Sequence, residues 1–475
     1  MGSSNWQAGT LSIALIAAGI ASGSAMAQTS DEVAFRDLYK ELVETNTTLS
    51  EGSCTAAEEA MSARLQAAGI PASDIKIIAP PERPKDGALI ATLPGRDAKA
   101  KPILLLAHVD VVEAKRADWQ RDPFKLVEEN GYFYARGVAD DKAMAAVFTD
   151  SLIRYRKEGF KPRRPIKLAL TCGEETASTF NGVNWLLQTQ PELLQAAFAL
   201  NEGAGGELDA NGKPVTLQIQ AGEKVYQDFT LEATNSGGHS SRPVKDNAIY
   251  HLAGALSWLS SWQFPVSFNP VTKAYFEQEA TLVPPEVGAT MREILANPMN
   301  EEAGKRLWAQ SPGWNSMLRT TCVATQVSAG HAPNALPQRA TANVNCRILP
   351  GVPVETIRQM LIQLIADSSV QVTATGEAAV TSAPPPLTPQ IMTPVRKLAA
   401  TIWPGVTVVP AMATGATDGR FLNAAGIPTY GLSGMFYDAE GSHAHGLDER
   451  IRVKSLLDGR RFLYEVVKLY ANQKE

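Results

Sequence analysis

The chain has 475 residues, of which 44% are hydrophobic and 20% are charged, and its formal net charge at pH 7 is −5. This is the composition of a soluble globular protein, and the length exceeds the size at which one hydrophobic core keeps growing, so we expect two domains. The acidic balance leaves no basic surface for a polyanion, which argues against nucleic acid as a partner.

The N-terminus predicts a signal peptide over residues 1–27. Residues 11–20 form an apolar run, and small residues lead from it to an Ala-x-Ala cleavage pattern at residues 25–27. The run is too short for a comfortable membrane span, so we expect a periplasmic or secreted protein with no span after cleavage. Residues 1–35 contain no Lys or Arg. Because a signal peptide usually begins with positive charge, a buried or disordered N-terminal segment stays open as the alternative.

Residues 28–225 predict the first part of an α/β catalytic domain. Helical spacing of apolar residues occurs at 31–44, 56–68, 143–155 and 183–188, and strands are expected at 88–93, 103–107, 166–171 and 197–201. The run 103–107 is apolar throughout, as is typical of a strand buried on both faces of a mainly parallel sheet. Open sheets of this kind bind their ligands beyond the carboxyl ends of the strands.

Residues 226–378 predict a second, inserted domain. Strands at 228–234, 322–329, 341–348 and 370–375 alternate with helices at 248–259 and 354–366. The order βαββαβ is that of a ferredoxin-like α+β domain, a candidate lid or dimerisation domain. Residues 264–320 interrupt it as an insertion with helical content. Residues 379–475 return to the catalytic domain with a strand after Gly405, a strand at 428–432 and a helix at 454–469.

Five segments place a His or an acid where an apolar run ends or a turn begins. They are LLLAHVD (104–110), ARGVADDK (135–142), LTCGEE (170–175), LNEG (200–203) and HAHGLDE (443–449). Together they offer five candidate ligands, namely His108, Asp140, Glu175, Glu202 and His445. Zinc binds imidazole nitrogen and carboxylate oxygen, and a catalytic site keeps one position open for water. Five ligands suit two metals better than one, which predicts a metal-dependent hydrolase.

Neighbouring residues suggest further roles, each with a plainer alternative. Asp110 lies on the same side of its strand as His108 and suits a hydrogen bond to a ligand ring, although a His satisfied at a sheet edge fits the same pattern. Asp140 begins a helix, where a simple helix cap is the alternative. Adjacent Glu174 and Glu175 repel each other, so we assign Glu174 as general base and Glu175 as ligand; an exposed acidic turn is the alternative.

Two other segments stay open. His239 in NSGGHSSRP (235–243) is either a loop histidine or an oxyanion-stabilising group that reaches a site, including that of a neighbouring subunit. Thr417 and Asp418 fit an ordinary turn.

The four cysteines form no C-x-x-C pair, which disfavours a cysteine zinc site. An exported protein can pair its cysteines. Cys322 and Cys346 are expected to pair because they lie in two predicted strands joined by a loop, whereas Cys172 is expected to be a small packing residue.

Taken together, the motifs resemble those of the zinc aminoacylase/carboxypeptidase family, which includes acetylornithine deacetylase, succinyl-diaminopimelate desuccinylase and glutamate carboxypeptidase. The resemblance covers residues 35–470. The fuller forms AHVDVV, W-x-x-DPF (119–124), GYFYARGVADDK and HGLDERI look most like the carboxypeptidase S and secreted aminoacylase branch.

The resemblance implies a ligand set and a substrate. It places His108 and Glu202 on one divalent metal, Glu175 and His445 on the other, and Asp140 between them; zinc is expected, with cobalt or manganese as alternatives. His445 is preferred to His443 because the family ligand lies four residues before the Glu that is Glu449 here. Asp110 would support the ligands, Glu174 would be the base, His239 would stabilise the oxyanion, and Asn334 and Arg347 would bind the substrate.

The implied reaction is hydrolysis of the amide bond next to a free carboxylate in short peptides, as in a carboxypeptidase or dipeptidase. The alternative is an aminoacylase that acts on N-acyl amino acids. The inserted domain leaves a homodimer open.

Overall fold

The computed structural model describes residues 29–97, 99–176, 179–376 and 379–474. The predicted signal peptide, residues 1–27, lies outside this part of the chain. The α-helices are α1 Ser30–Glu44, α2 Cys54–Ala67, α3 Lys142–Lys157, α4 Gly182–Thr189, α5 Ala248–Ser261, α6 Pro270–Glu279, α7 Pro285–Ala296, α8 Glu301–Gln310, α9 Pro312–Leu318, α10 Val354–Ile365, α11 Pro389–Ile402, α12 Gly419–Ala424 and α13 Val453–Asn472. The strands are β1 Ile75–Ile78, β2 Ala88–Leu93, β3 Ile103–His108, β4 Val127–Glu129, β5 Tyr132–Tyr134, β6 Ile166–Thr171, β7 Phe198–Asn201, β8 Gly206–Leu208, β9 Pro214–Glu223, β10 Val225–Thr234, β11 Gly238–His239, β12 Thr321–Ala329, β13 Ala335–Leu336, β14 Arg339–Ile348, β15 Val370–Thr375, β16 Thr407–Ala413, β17 Thr429–Gly431, β18 Phe436–Tyr437 and β19 Arg450–Arg452.

A large sheet forms the body of the molecule, with strand order β1-β2-β6-β3-β7-β17-β9-β8-β18 and β16 beside β9. The central strands β6, β3, β7 and β17 are mutually parallel. All six residues of β3 are buried, which explains its unbroken apolar sequence. The predicted α/β class with a mainly parallel sheet is confirmed, and we call this part the large domain.

The parallel strands bring the candidate ligands to one edge of the large sheet. β3 ends at His108, β6 ends at Thr171 and β7 ends at Asn201, and the acidic segments follow directly. Because the carboxyl ends of parallel strands meet at the same edge, residues far apart in sequence become neighbours there.

A second sheet, with order β12-β14-β10-β15, is antiparallel and carries α5 and α10. Its core contains Phe229, Leu231, Val344, Ile357 and Leu361, all buried. Along β10 the buried residues alternate with more exposed ones, as period two requires. The predicted ferredoxin-like arrangement is confirmed, and we call this part the small domain.

The insertion at 264–320 forms α6 to α9 and packs on the large domain. Val271, Tyr275 and Phe276 of α6 join the core of the large domain, where α6 packs against β16. Asn269 at the start of α6 donates a hydrogen bond from Nδ2 to Met412 Sδ at 3.3 Å. The insertion therefore extends the large domain, although it is inserted into the sequence of the small one.

Two disulfides join the four cysteines. Cys322 and Cys346 pair across β12 and β14, as predicted. Cys54 and Cys172 form the second disulfide, so the interpretation of Cys172 as a packing residue was wrong. These two cysteines are 118 residues apart, and only the packing of α2 beside the end of β6 brings them together.

Among the described residues, no helix combines the length and the apolar character needed to cross a membrane.

Candidate metal centre

His108, the last residue of β3, is buried and presents one ring nitrogen to two carboxylates. Its Nδ1 lies 3.1 Å from the carbonyl oxygen of Asp110. A carbonyl only accepts, so this bond places the ring proton on Nδ1 and frees the lone pair of Nε2. Nε2 lies 3.2 Å from Asp140 Oδ1 and 3.7 Å from Glu202 Oε1. His108 is thus oriented as a metal ligand through Nε2.

Asp140 connects this histidine to a second one. Its other oxygen, Oδ2, lies 3.2 Å from His445 Nε2, which also lies 2.9 Å from Glu175 Oε1. Each oxygen of Asp140 therefore faces a different histidine, as a carboxylate that bridges two cations must. The predicted ligands His108, Asp140, Glu175, Glu202 and His445 converge at one place.

Ligand atoms of His108, Asp140 and Glu175 lie within 4.8 Å of one another, and so do those of His108, Glu174 and Glu202. Glu174, the predicted base, is therefore beside the metal ligands.

The electrostatics of the cluster reflect crowded buried carboxylates. Burial raises the pKa of Glu202 to about 7, and burial together with repulsion from Glu202 holds the pKa of Glu174 well above its usual range. Hydrogen bonds to Asp140 and Glu175 raise the pKa of His445 to about 10. Carboxylates at this density repel one another unless a proton or a cation lies between them. The donor set therefore fits divalent cations, and it offers the nitrogen and oxygen ligands that zinc prefers.

Asp110 positions the loop that carries Glu174, the predicted base. Its carboxylate accepts hydrogen bonds from the backbone N–H groups of Glu174, at 3.3 Å, and Glu175, at 3.0 Å. It also approaches His108, whose Nδ1 is 3.5 Å from Asp110 Oδ1. Asp110 thus links the end of β3 to the end of β6, a role broader than the support of a ligand ring expected from the sequence.

Glu449 holds the loop that carries Asp140, a role that the sequence analysis missed. Its fully buried carboxylate accepts from Arg136 Nη1 at 2.8 Å and from the N–H groups of Gly137, Ala139 and Asp140 at 3.0, 2.9 and 3.1 Å. Glu449 follows His445 by four residues, so one carboxylate fixes two ligand-bearing segments relative to each other. The four-residue spacing between His445 and Glu449 was the available sequence signal.

Thr417 and Asp418 lie in the turn segment before α12, and both residues are buried. Asp418 accepts from Asn181 Nδ2 at 2.6 Å, and Thr417 Oγ1 accepts from Asn201 Nδ2 at 3.1 Å. Asn201 ends β7, so this network supports the strand from which Glu202 extends.

A cavity of about 480 Å³ adjoins the centre, and we call it the catalytic cavity. Both domains line it: Glu174, Glu175 and His445 belong to the large domain, and Tyr226 and Arg347 to the small one. The Arg347 guanidinium lies 4.7 Å from the Tyr226 ring centroid. The structure therefore brings the predicted substrate-binding arginine to the site within one chain.

A second cavity of about 200 Å³ lies against Asp140 and Glu202, and its wall includes Met144, Met435 and Tyr437.

His239 and Asn334 lie outside the lining of the catalytic cavity. Both are exposed and neighbour each other at the short pair β11 and β13, where Ser240 N donates to Asn334 O at 3.1 Å. His239 Nδ1 accepts from Ser241 N at 3.1 Å. Neither residue is among the described residues that line the catalytic cavity.

The tryptophans of the insertion also lie away from the centre. Trp308 lines a separate groove of about 590 Å³ beside α5 and β12, and Trp314 donates from Nε1 to Tyr275 OH at 3.1 Å inside the insertion.

The fold and the convergent donor set together define a metal-dependent amide hydrolase. Residues 104–469 match the sequence model of peptidase family M20/M25/M40, and the chain belongs to that family. This confirms the resemblance to the zinc aminoacylases and carboxypeptidases.

Similar proteins agree with this assignment. The chain is 31% identical over 393 residues to human N-fatty-acyl-amino acid synthase/hydrolase PM20D1, covering 79% of this chain and 75% of the relative. It is 28% identical to probable carboxypeptidase S-like 2 of Dictyostelium discoideum, and the match covers 80% of this chain and 74% of the relative. The M20 family metallo-carboxypeptidase Sso-CP2 of Sulfolobus solfataricus has the same fold, with a TM-score of 0.66 and 20% identity. The match covers 94% of this chain and 100% of that chain.

Proposed function

We propose that the chain is a two-metal hydrolase that cleaves the amide bond next to a free carboxylate in short peptides. The observation that carries this proposal is the position of Arg347, which lines the same cavity as Glu174 and His445. Its planar guanidinium pairs bidentately with a carboxylate, so it would hold the free carboxylate of a substrate while the neighbouring amide faces the donor cluster.

The residues have distinct roles in this reaction. His108 and Glu202 would hold one divalent cation, Glu175 and His445 the other, and Asp140 both; zinc is the expected metal, and cobalt and manganese suit the same donors. When bound, such cations polarise a carbonyl and acidify water.

Glu174 takes the proton of the attacking water and returns it to the leaving amine nitrogen. The raised pKa of Glu174 suits this exchange, because its carboxyl must both accept and donate a proton near neutral pH. Asp110 keeps the Glu174 backbone in place during both transfers.

The experiment uses residues 28–475 and the Glu174→Gln variant, with dipeptides, N-acetyl amino acids and long-chain N-acyl amino acids as substrates. We expect two metal ions per chain in both proteins. Dipeptide turnover should fall by about 10² to 10⁴-fold in the variant, because it keeps the ligands and loses the base. Full activity in Glu174→Gln, or activity without metal, would contradict the proposal.

The second candidate is an aminoacylase that hydrolyses N-acyl amino acids with the same residues. Its support is the 31% identity to a relative named for N-fatty-acyl amino acids. The cavity of about 200 Å³ beside Asp140 and Glu202 has an apolar wall that suits an acyl group. Turnover of N-acyl amino acids without turnover of dipeptides would select this function.

We also propose a homodimer formed by the small domain. β12 is an edge strand of its sheet, and an edge presents unpaired N–H and C=O groups. Val323 and Val327 on β12 are 60% and 61% exposed, and Tyr250 and Trp258 on α5 are 64% and 59% exposed. A partner that covers this surface would suit the exposed position of His239, which would then reach the partner's cavity.

Mixing two inactive variants tests the dimer. If His239 acts across the interface, His239→Ala and Glu174→Gln chains should together recover about a quarter of the wild-type activity, because half of the dimers are mixed and each has one intact site. No recovery after verified subunit exchange, or a monomer by light scattering, would contradict the proposal.

Export to the periplasm or the medium is a further part of the proposal. It is supported by the pairing of all four cysteines in disulfides, which form in oxidising compartments. The N-terminal sequence of the protein recovered from each cell fraction tests it: a mature chain that begins at Gln28 is expected outside the cytoplasm.

A further inference from the structure

Two guanidinium groups from different domains face the catalytic cavity. Arg347 lies on β14 of the small domain, and Arg420 lies in α12 of the large domain. Both line the cavity together with Glu174 and His445. Burial lowers the pKa of Arg347, and the charge of Arg420 lowers it further, whereas Tyr226 and Asp228, which line the same cavity, act in the opposite direction. The two cations are therefore close enough to repel each other across the cavity.

Neither cation has an ion-pair partner among the described residues, since no described carboxylate lies within 4.0 Å of either one. Arg347 stacks on Tyr226, and the Arg420 guanidinium lies 4.5 Å from the Phe421 ring centroid. Arg420 Nε is buried without a hydrogen-bond partner. By contrast, the buried guanidinium of Arg136 is paired with Glu449 at 2.8 Å.

A structural role for Arg420 as counterion to buried acids does not account for its position. Burial raises the pKa of Glu223 to about 8 and raises that of Asp418; the charge of Arg420 opposes both shifts, but the guanidinium contacts neither carboxylate within 4.0 Å. Both acids have other donors, Thr417 N at 2.8 Å for Glu223 Oε2 and Asn181 Nδ2 at 2.6 Å for Asp418, and Arg420 does not bond the remaining buried oxygen, Glu223 Oε1. The guanidinium of Arg420 is therefore left to face the cavity.

Two unpaired cations at one cavity match a ligand with two anionic groups, because shielded charges are stable only when they are paired. We infer that Arg420 is a specificity-determining residue that binds a second carboxylate, and that the preferred substrates release aspartate or glutamate. This inference rests on the proposed function, in which Arg347 takes the α-carboxylate. Arg420 then takes the side-chain carboxylate of the same residue. The substrate class is peptides with C-terminal Asp or Glu, or N-acyl derivatives of these amino acids.

The experiment compares two substrates that differ in one charge and hardly in shape, N-acetyl-glutamate and N-acetyl-glutamine, and the dipeptides that end in the same two residues. kcat and KM are measured for the wild type, Arg420→Gln and Arg420→Lys. Arg396→Gln, which removes a positive charge from an exposed position on α11, is the control for net charge.

We expect the wild type to prefer the glutamate substrate by about tenfold or more in kcat/KM. Arg420→Gln should remove the preference, because KM rises about tenfold more for the glutamate substrate than for the glutamine substrate. Arg420→Lys should restore part of the preference, and Arg396→Gln should retain all of it.

Other outcomes overturn the inference in distinguishable ways. Turnover of the glutamine substrate without any preference for glutamate overturns it and leaves the proposed function standing. An equal loss on both substrates in Arg420→Gln assigns Arg420 a structural role and also overturns it. Failure of the wild type to hydrolyse any amide in the panel overturns the proposed function, and this inference falls with it.

Discussion

On the metal side of the catalytic cavity the loops are held by hydrogen bonds to buried carboxylates, whereas on the substrate side two arginines have no described carboxylate within 4.0 Å. Glu449 and Asp110 accept hydrogen bonds from the loops that carry Asp140, Glu174 and Glu175, so that side is fixed before any ligand binds. Arg347 and Arg420 have no described anionic partner. The difference indicates that the enzyme holds its catalytic groups rigidly and relies on the substrate to complete the other wall.

The largest expected effect comes from breaking the metal side at Glu449. Glu449→Ala removes the acceptor of four hydrogen bonds and leaves the buried Arg136 guanidinium unpaired. Activity should fall by about 10²-fold or more because Asp140 is released, and the free energy of unfolding should fall by about 3–5 kcal/mol. Metal content, kcat and chemical denaturation measure these changes.

Glu129→Gln is the matched control, because the ion pair of Glu129 with Arg121 is at the surface, where such pairs contribute about 1 kcal/mol or less. A Glu449 variant with wild-type metal content and activity would contradict the proposal that hydrogen bonds to Glu449 hold the metal side in place.

The convergence of the metal ligands could be predicted from the sequence because each ligand follows a recognisable buried strand, and parallel strands end at one edge. Glu449 could not be assigned its role in this way, since Arg136 is 313 residues away and no local pattern connects the two. Arg420 was missed for a related reason: ATGATDGRF has the composition of a turn, and only the fold directs the arginine into the cavity. The packing of the insertion on the large domain could not be predicted, because α6 and β16, which contact each other, are far apart in the sequence.

The two disulfides allow the metal side and the substrate side of the catalytic cavity to be tested separately. Cys172 precedes Glu174 by two residues, and Cys346 precedes Arg347. Cys54→Ala/Cys172→Ala should lower kcat about tenfold, because the loop that carries the base is freed. Cys322→Ala/Cys346→Ala should raise KM and leave kcat within about twofold. Steady-state kinetics on one substrate compares the variants.

The two disulfides also differ in loop length, with sequence separations of 118 and 24 residues. The chain-entropy model gives about 5 kcal/mol for the longer loop and about 3.5 kcal/mol for the shorter one. Thermal unfolding should therefore rank the Cys54–Cys172 variant as the less stable. If both disulfide variants changed KM and kcat in the same way, the two disulfides would not support different sides of the catalytic cavity.

Metal affinity should depend on pH in a direction set by the carboxylates. Burial raises the pKa of Glu202 to about 7, so below that pH the group keeps a proton that a metal ion must displace. Affinity should therefore fall as pH falls, by about fourfold between about pH 8 and about pH 6.5 if Glu202 alone titrates. His445, with its pKa raised to about 10, acts in the same direction. Competition with a chromophoric chelator measures this dependence, and an affinity that rises toward acid would contradict it.

The smallest effect is expected at Trp308, which tests whether the insertion belongs to the substrate side at all. Trp308 is 46% exposed and lines the groove beside α5 and β12, whereas Glu174 and Arg347 line a different cavity. Trp308→Ala should therefore change kcat/KM by no more than about twofold on peptides and on N-acyl amino acids of any chain length, since a surface substitution away from the site has little effect. A selective loss on long acyl chains would show that the groove receives part of the substrate, and the substrate side would then extend from Arg347 across the small domain to the insertion.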